Sequence, residues 1–402
     1  MNRPKHILPV IVISQMMGTS LWFSGNSILD SLQRQFGLKD QAVGALTSSV
    51  QFGFIGGTLL FAFFVLADRF SPRLVFFVCA LGGALANLGI CYMDTYETLL
   101  VFRFLTGFFL AGVYPVGMKI ASGWHDHDLG KAIGFLVGAL VVGTALPHFL
   151  KGAGRDLPWE SVVFSVSGIA ALGGLLMLAF VPDGPHLSRN SRFHTGALIR
   201  IFRSPPFRAS AFGYFGHMWE LYAFWAFAPL VLQQAFLNKG DWNLSLWSFA
   251  IIAAGSVGCV WGGLASIRHG SARVAGVQLA ASGLCCLLSP FLFFAPPPAL
   301  LAFLIFWGIV VVGDSPQFST LNAQNAPKEL IGSALTIANC LGFAVSILSI
   351  QLLSGISSQL EPEYWLAPLA LGPVLGLVAL KPLLISEASA TIKSGRPNGR
   401  MD

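Results

Sequence analysis

Apolar runs of more than 18 residues follow one another along this chain, separated only by short basic or Pro/Gly-rich clusters. A helix needs about 20 apolar residues to cross the hydrocarbon core of a bilayer, so each run reads as one crossing. In lipid, every backbone amide must bond within its own segment. That selects helices, because the roughly 10-residue alternation of an outer-membrane barrel is absent. The runs lie at 7–29, 44–67, 74–93, 98–121, 132–150, 161–181, 208–236, 244–267, 274–295, 299–322, 331–356 and 364–385, twelve in all. Only 10% of the 402 residues are charged, against about 25% in an ordinary soluble domain, so a water-soluble globule is excluded. The expected fold class is all-α integral membrane, and the bilayer is the first partner.

The net charge of +6 is spread over the connections between runs, which sets topology and gives no nucleic-acid-binding patch. An even number of crossings puts both termini on one side. Of the 24 Lys and Arg, only Arg34, Lys39, Lys151, Arg155 and Lys239 fall on the opposite side, and Arg103 falls inside the fourth run. The positive-inside rule therefore predicts cytoplasmic termini. The first run follows MNRPKH but is long and lacks an A-x-A-like site, so it reads as a retained anchor. All six cysteines lie in expected spans without metal or disulfide spacing, and read as fillers of apolar space.

The longest polar connection, 182–207, splits the spans six and six. This predicts an N-terminal bundle over 1–181, a cytoplasmic linker over 182–207, and a C-terminal bundle with a short tail over 208–402. Gly107 and Gly308, Gly112 and Gly313, and Pro115 and Pro316 are each 201 residues apart and fall at matching depths of spans four and ten. They point to an internal repeat of parallel topology.

A second correspondence joins the loop Ala67-Asp68-Arg69-Phe70-Ser71-Pro72-Arg73 to the loop Gly262 through Arg273. Here the chain resembles the major facilitator superfamily, whose signature after the second span is G-x-L-a-D-R-x-G-R-[RK], with a degenerate copy after the eighth. Leu66, Asp68, Arg69 and Arg73 match, while Phe64 and Ser71 replace the two glycines; the second copy keeps Gly263, Arg268 and Gly270 but has no acid. Arg103-Phe104-Leu105-Thr106-Gly107 is similar to the family's R-x-x-x-G element. The antiporter Gly-Pro element of the fifth span is missing, and spans two and eight lack the buried Arg of nitrate porters. Gly216 through Tyr222 resembles a stretch in poorly characterised bacterial permeases of the superfamily. The resemblance implies two pseudo-symmetric six-helix bundles, a multi-pass protein of the bacterial inner membrane, and a central cavity lined by spans one, four, seven and ten.

A charge at mid-bilayer costs about 2.5–3.5 kcal/mol on insertion scales, so each one inside a span needs an explanation. Only Arg103, His217, Glu220 and Asp314 qualify, and they occupy spans four, seven and ten. Glu220 lies three residues after His217, on the same helical face. The two are expected either to exchange a proton with the cavity or to hydrogen-bond to each other. Asp314 stands in Gly313-Asp314-Ser315-Pro316, where Pro316 breaks a helix hydrogen bond and frees carbonyls, a context for proton or solute binding. Arg103 is a fixed cation, open to coupling with an acid, an anionic solute or an inter-span salt bridge.

Candidate solute contacts are Gln15, Thr19, Trp22 and Asn26, which form one stripe of span one, with Tyr114, Trp219, Tyr222, Gln317 and Asn339. Asp68, Arg69, Arg73 and Arg268 sit at span ends and read as a gate. His125-Asp126-His127-Asp128 lacks further ligands at useful spacing, so no metal is expected. No P-loop, catalytic Ser/His/Asp set or redox cysteine pair is present, which leaves no enzyme chemistry and no cofactor. The expectation is a proton-coupled secondary transporter of a small organic or anionic solute, functional as a monomer. The rival readings are a proton-driven exporter of aromatic or cationic compounds, and a non-transporting sensor or assembly partner.

Overall fold

The computed structural model of the chain describes residues 4–39, 42–125, 129–187, 196–237 and 239–393. Asp126, His127 and Asp128 lie outside the described residues, as do residues 188–195 of the linker. Ten helical stretches are long and apolar enough to cross a membrane. In chain order they are α2 (Ala42–Phe63), α3 (Pro72–Tyr92), α4 (Tyr96–Trp124), α5 (Ala132–Ala153) and α6 (Glu160–Phe180), then α8 (Leu244–His269), α9 (Ser271–Leu292), α10 (Pro297–Asn325), α11 (Lys328–Ile356) and α12 (Pro362–Ser389). Two further helices occupy the first and seventh expected spans. The first, α1 (Ile7–Thr19), is apolar but only 13 residues long, and the other, α7 (Pro205–Ala235), has 31 residues but is too polar to be counted with the ten.

The expected continuous first span is thus corrected. Helix α1 ends at Thr19, and the chain turns before two short helices, Ser24–Ser27 and Leu29–Phe36. Thr19 Oγ1 and Ser20 Oγ donate to the carbonyls of Gln15 (2.9 Å) and Met17 (2.7 Å), which weakens the helix where it stops. Breaks also fall where the sequence repeat placed its prolines. Helix α4 pauses between Leu110 and Tyr114, with Pro115 opening the next segment, and α10 pauses at Asp314, with Pro316 doing the same.

Neighbouring helices repeat in the same order along the chain. Helix α2 packs on α4 as α8 does on α10, α1 on α6 as α7 does on α12, and α3 on α6 as α9 does on α12. The strongest contacts between these two sets are α2 with α11 and α5 with α8. Two pairs touch backbone to backbone. A Cβ added at Gly53 would stand 1.9 Å from the Phe104 carbonyl oxygen, and one at Gly107 1.9 Å from that of Val50. In the second set the matching distances are 1.9 Å for Gly258 and Ile309, and 2.0 Å for Gly308 and Ile251. Small residues let membrane helices approach this closely and gain dispersion contact that lipid cannot replace.

On the face away from the chain ends, the α5–α6 connection meets the α7–α8 connection. Arg155 bonds both carboxylate oxygens of Asp241, Lys151 pairs with Asp30, and Asn243 Nδ2 donates to the Gly152 carbonyl at 2.9 Å. The Arg155 guanidinium holds the Asp241 carboxyl below its usual range, by hydrogen bonding first and charge second.

Two outcomes test this packing. Gly107→Val and Gly308→Val should each overpack a helix contact and cost about 1–3 kcal/mol, read as a lowered melting midpoint in detergent. A lowered carboxylate pKa keeps its contribution at all higher pH and loses it as pH falls through the folded value. Labelling of Ser245→Cys by a membrane-impermeant maleimide, normalised to free thiol, should therefore stay level from about pH 7 to about pH 5 and rise only below about pH 4.

Candidate functional site

Ionised groups inside a membrane protein persist where protein dipoles or opposite charges replace water. Arg103 is fully buried on α4, and it solves this problem with backbone. Its Nη1 and Nη2 donate to the carbonyls of Leu21 (3.3 Å) and Trp22 (2.5 Å), in the turn that follows α1. Those carbonyls are free because the helix stops at Thr19, so cation and helix break satisfy each other. Among the described residues, no carboxylate pairs with Arg103.

His217 and Glu220 share a face of α7 but point to different partners. Glu220 accepts from Trp307 Nε1 on α10 (2.7 Å) and from Ser282 Oγ (2.8 Å) and Cys286 Sγ (3.3 Å) on α9. One carboxylate thus ties α7 to α9 and α10, and Cys286 is a donor as well as a filler of space. His217 Nδ1 instead lies 2.8 Å from Asp314 Oδ1, although the two atoms do not complete an aligned hydrogen bond. Both residues are about 1% exposed. Asp314 occupies the break of α10, and the His217 ring packs beside both Tyr214 and Phe318, with centroids 6.0 and 5.9 Å away. Asp314 and His217 Nε2 retain polar capacity that no aligned bond uses.

Two cavities flank this layer. The outer one, about 370 Å³, opens between the ends of the first, fifth and seventh spans and the start of α8; its wall includes Asn26, Asp30, His148, Lys151, Arg155 and Asn243. The inner one, about 220 Å³, lies toward the chain ends and is walled by Thr58, Tyr114, Tyr214, Asn322, Thr336 and Asn339, among others. Between them stands a septum of four buried rings. Trp22 stacks on Phe343 (5.4 Å, 28°) and touches Phe54 and Tyr222 at 4.9 and 5.6 Å, while Phe343 meets Phe54 at 4.7 Å and Tyr222 at 5.0 Å. Helix register explains its place. Tyr222 is one turn from Ala226 of the outer wall and Trp22, in the turn after α1, stands four residues before Asn26, while Phe54 and Phe343 are one turn from Thr58 and Asn339 of the inner wall.

The expected solute contacts divide accordingly. Asn26 lines the outer cavity and donates to Thr47 Oγ1 at 2.7 Å; Tyr114 and Asn339 line the inner one; Trp22 and Tyr222 belong to the septum. The other four face neighbouring helices. Gln15 is buried against Gly117, and Thr19 bonds back to its own helix. Trp219 donates to the Pro368 carbonyl at 3.5 Å beside Gly372, and Gln317 packs on Gly262. Phe54, Phe343, Thr58 and Asn322 carry no distinguishing signal in a chain with 34 phenylalanines and hydroxyls in many spans.

Of the expected gate, Asp68 pairs with Lys119 of α4 at 2.5 Å, and Arg73 donates to the Leu178 carbonyl of α6 at 3.4 Å. Ser71 donates to Asp183 at 2.8 Å, and Arg69 and Arg268 are exposed. The acid missing from the second loop comes from α12, where Glu387 accepts from the backbone N–H of Ala272 (2.9 Å) and Arg273 (3.0 Å), the first turn of α9. Among the described residues, no group of three or more His, Cys, Asp or Glu side chains is arranged to hold a metal.

Comparison with known proteins agrees with this architecture. Residues 10–350 match the family model described as Major Facilitator Superfamily. A niacin transporter, NiaP, of Acinetobacter baylyi is 31% identical over 169 residues, which is 39% of this chain and 36% of that protein. The putative uncharacterized transporter YgaY of Escherichia coli K12 is 24% identical over 192 residues, 46% of this chain and 48% of that one. The matches thus span less than half the length of either relative. The solved proton:xylose symporter XylE has the same fold at a TM-score of 0.74 and 14% identity, covering 94% of this chain and 96% of that one. With ten clear spans and a family match over most of its length, the chain belongs to the Major Facilitator Superfamily of membrane transporters.

Proposed function

We propose that the chain is a proton-coupled secondary active transporter of a small organic solute, working by alternating access between the two cavities. The observation that carries this reading is the His217–Asp314 contact, buried in the break of α10 directly behind Tyr214 of the inner wall. A carboxylate held by one histidine and by no aligned bond is the group in this core that a proton disturbs most. Protonation removes its attraction for His217 and loosens the two sides of the break together. Tyr214 passes that change to the cavity, because its hydroxyl donates to Asn339 at 3.0 Å and its ring packs on His217. Of the two carboxylates expected to exchange protons, the geometry favours Asp314; Glu220, with three donors, serves as a clamp between α7, α9 and α10.

The chain is read as twelve spans in two six-helix halves, 1–181 and 208–402, joined by 182–207, with both termini cytoplasmic in a bacterial inner membrane. The recurring helix neighbours and paired breaks support the two halves, and the charge bias supports the orientation. Under that orientation, the Arg155–Asp241 contact joins the two halves at the outer face, while the Asp68–Lys119 and Arg73–Leu178 contacts brace the inner ends of the N-terminal half. One chain supplies both cavities, which fits a monomer. The stretch similar to a niacin transporter supports a small organic cargo.

In proteoliposomes, an imposed pH gradient should drive accumulation of the cargo. Asp314→Asn should lower gradient-driven uptake about tenfold or more and flatten its pH profile, while cargo counterflow persists. Glu220→Gln should lower yield and melting midpoint but keep the parent's pH profile. An unchanged profile in Asp314→Asn would remove the assignment of coupling to that residue.

A further inference from the structure

We infer that the cargo is uncharged while it occupies the inner cavity, and that it is a compact hydrogen-bonding molecule about the size of one substituted ring. This rests on the transport reading above and concerns the chemistry of the same cavity.

No lining residue of the inner cavity carries a charge. Its polar groups are hydroxyls and amides, and Pro115, Met118, Leu335 and Ala338 supply apolar surface. Four charged groups on the helices that line it are already engaged. His217 and Asp314 pair with each other, Lys119, next to Met118, is held by Asp68, and Arg103 is bonded to the carbonyls after α1. An ion enclosed here would shed water without meeting an opposite charge, at a cost of several kcal/mol. Asp30, Arg34, Lys151 and Arg155 face the outer cavity, beyond the septum.

Two atoms of the inner wall point to what the cargo does carry. Thr58 Oγ1 and Asn322 Oδ1 are buried without a hydrogen-bond partner, on residues 7% and 2% exposed. A buried polar atom left unmatched costs about 1–3 kcal/mol; Asn322 Oδ1 can only accept and the Thr58 hydroxyl can accept or donate, so a solute bearing N–H or O–H donors completes the wall. Asn339 Oδ1 is occupied by the Tyr214 hydroxyl, which leaves its amide nitrogen to meet an acceptor on the same solute. The volume of about 220 Å³ is below the roughly 300–1,000 Å³ of pockets for drug-sized ligands, and so selects a single small ring. Tyr114 and Tyr214 offer faces for it.

The test uses the full-length protein in nanodiscs at neutral pH with three probes of one shape: benzamide, benzoate and benzylammonium. Benzamide should raise the melting midpoint at concentrations where the two ions do not, and Asn322→Leu should weaken it about tenfold. Asn322→Asp, which adds a carboxylate to the wall and little change in shape, should transfer the preference to benzylammonium. If benzoate or benzylammonium binds the parent as tightly as benzamide, and Asn322→Leu weakens it too, the cavity is the site and the charge assignment is overturned. If Ala338→Phe, which fills the cavity, and Asn322→Leu both leave probe binding intact in folded protein, the location fails instead. Binding of none of the three would overturn the assignment of size and shape.

Discussion

A peptide group in hydrocarbon has no water to turn to, so every interruption of a helix in this protein must bring its own hydrogen-bond partners. Three interruptions organise the interior. After α1, the carbonyls of Leu21 and Trp22 are met by Arg103, a side chain that in turn needs acceptors to be tolerated at that depth. At the break of α10, the thiol of Cys259 donates to the Val312 carbonyl at 3.4 Å, and the side chain of Gln278 lies against Gly313. The third break, between Leu110 and Tyr114, is the repeat partner of the second. The polar groups of the core are therefore placed where the backbone requires them, and the cavities open beside those places.

Glycine contacts hold the helices together beside the breaks. The Gly53/Gly107 and Gly258/Gly308 crossings fix α2 to α4 and α8 to α10 upstream of each break. The segments beyond the breaks, Tyr114–Trp124 and Ser315–Asn325, carry Tyr114, Met118, Ser319 and Asn322 of the inner wall. A half-helix held at such a crossing and joined through a break to a second segment is the kind of hinge that the proposed alternating-access cycle would use.

Much of this was legible in the sequence, and the rest failed for one physical reason. Ten apolar runs announced themselves by length, and the 201-residue spacing of Gly107/Gly308 and Pro115/Pro316 marked both the close crossings and the breaks. Arg103, His217, Glu220 and Asp314 stood out because a charge inside an apolar run is costly. Their partners did not stand out. Spacing along one helix shows which side chains share a face, but rotation about the helix axis is set by packing against other helices. Hence His217 and Glu220 were rightly placed together on α7 but turn to Asp314 and to Ser282, Cys286 and Trp307, each from another helix. The stripe from Gln15 to Asn26 failed differently, since α1 ends at Thr19 and the later two residues leave its axis.

The septum shows how these local solutions make one device. Trp22 is held from behind, because the carbonyl of the same residue accepts from Arg103, while its ring stacks on Phe343 of α11. Tyr222 reaches the same cluster from α7, two turns from Tyr214, which touches His217. Under the proposed mechanism, a shift of α7 following a change at the His217–Asp314 contact would move one ring of the barrier and one wall of the inner cavity together, because Tyr214 and Tyr222 stand on the same helix. Packed aromatic clusters have few alternative arrangements at interior density, so such a shift either leaves the septum closed or opens it as a whole. In the proposed mechanism, coupling between proton and solute requires no long relay, because α7 carries His217 beside Asp314, Tyr214 of the inner wall and Tyr222 of the septum.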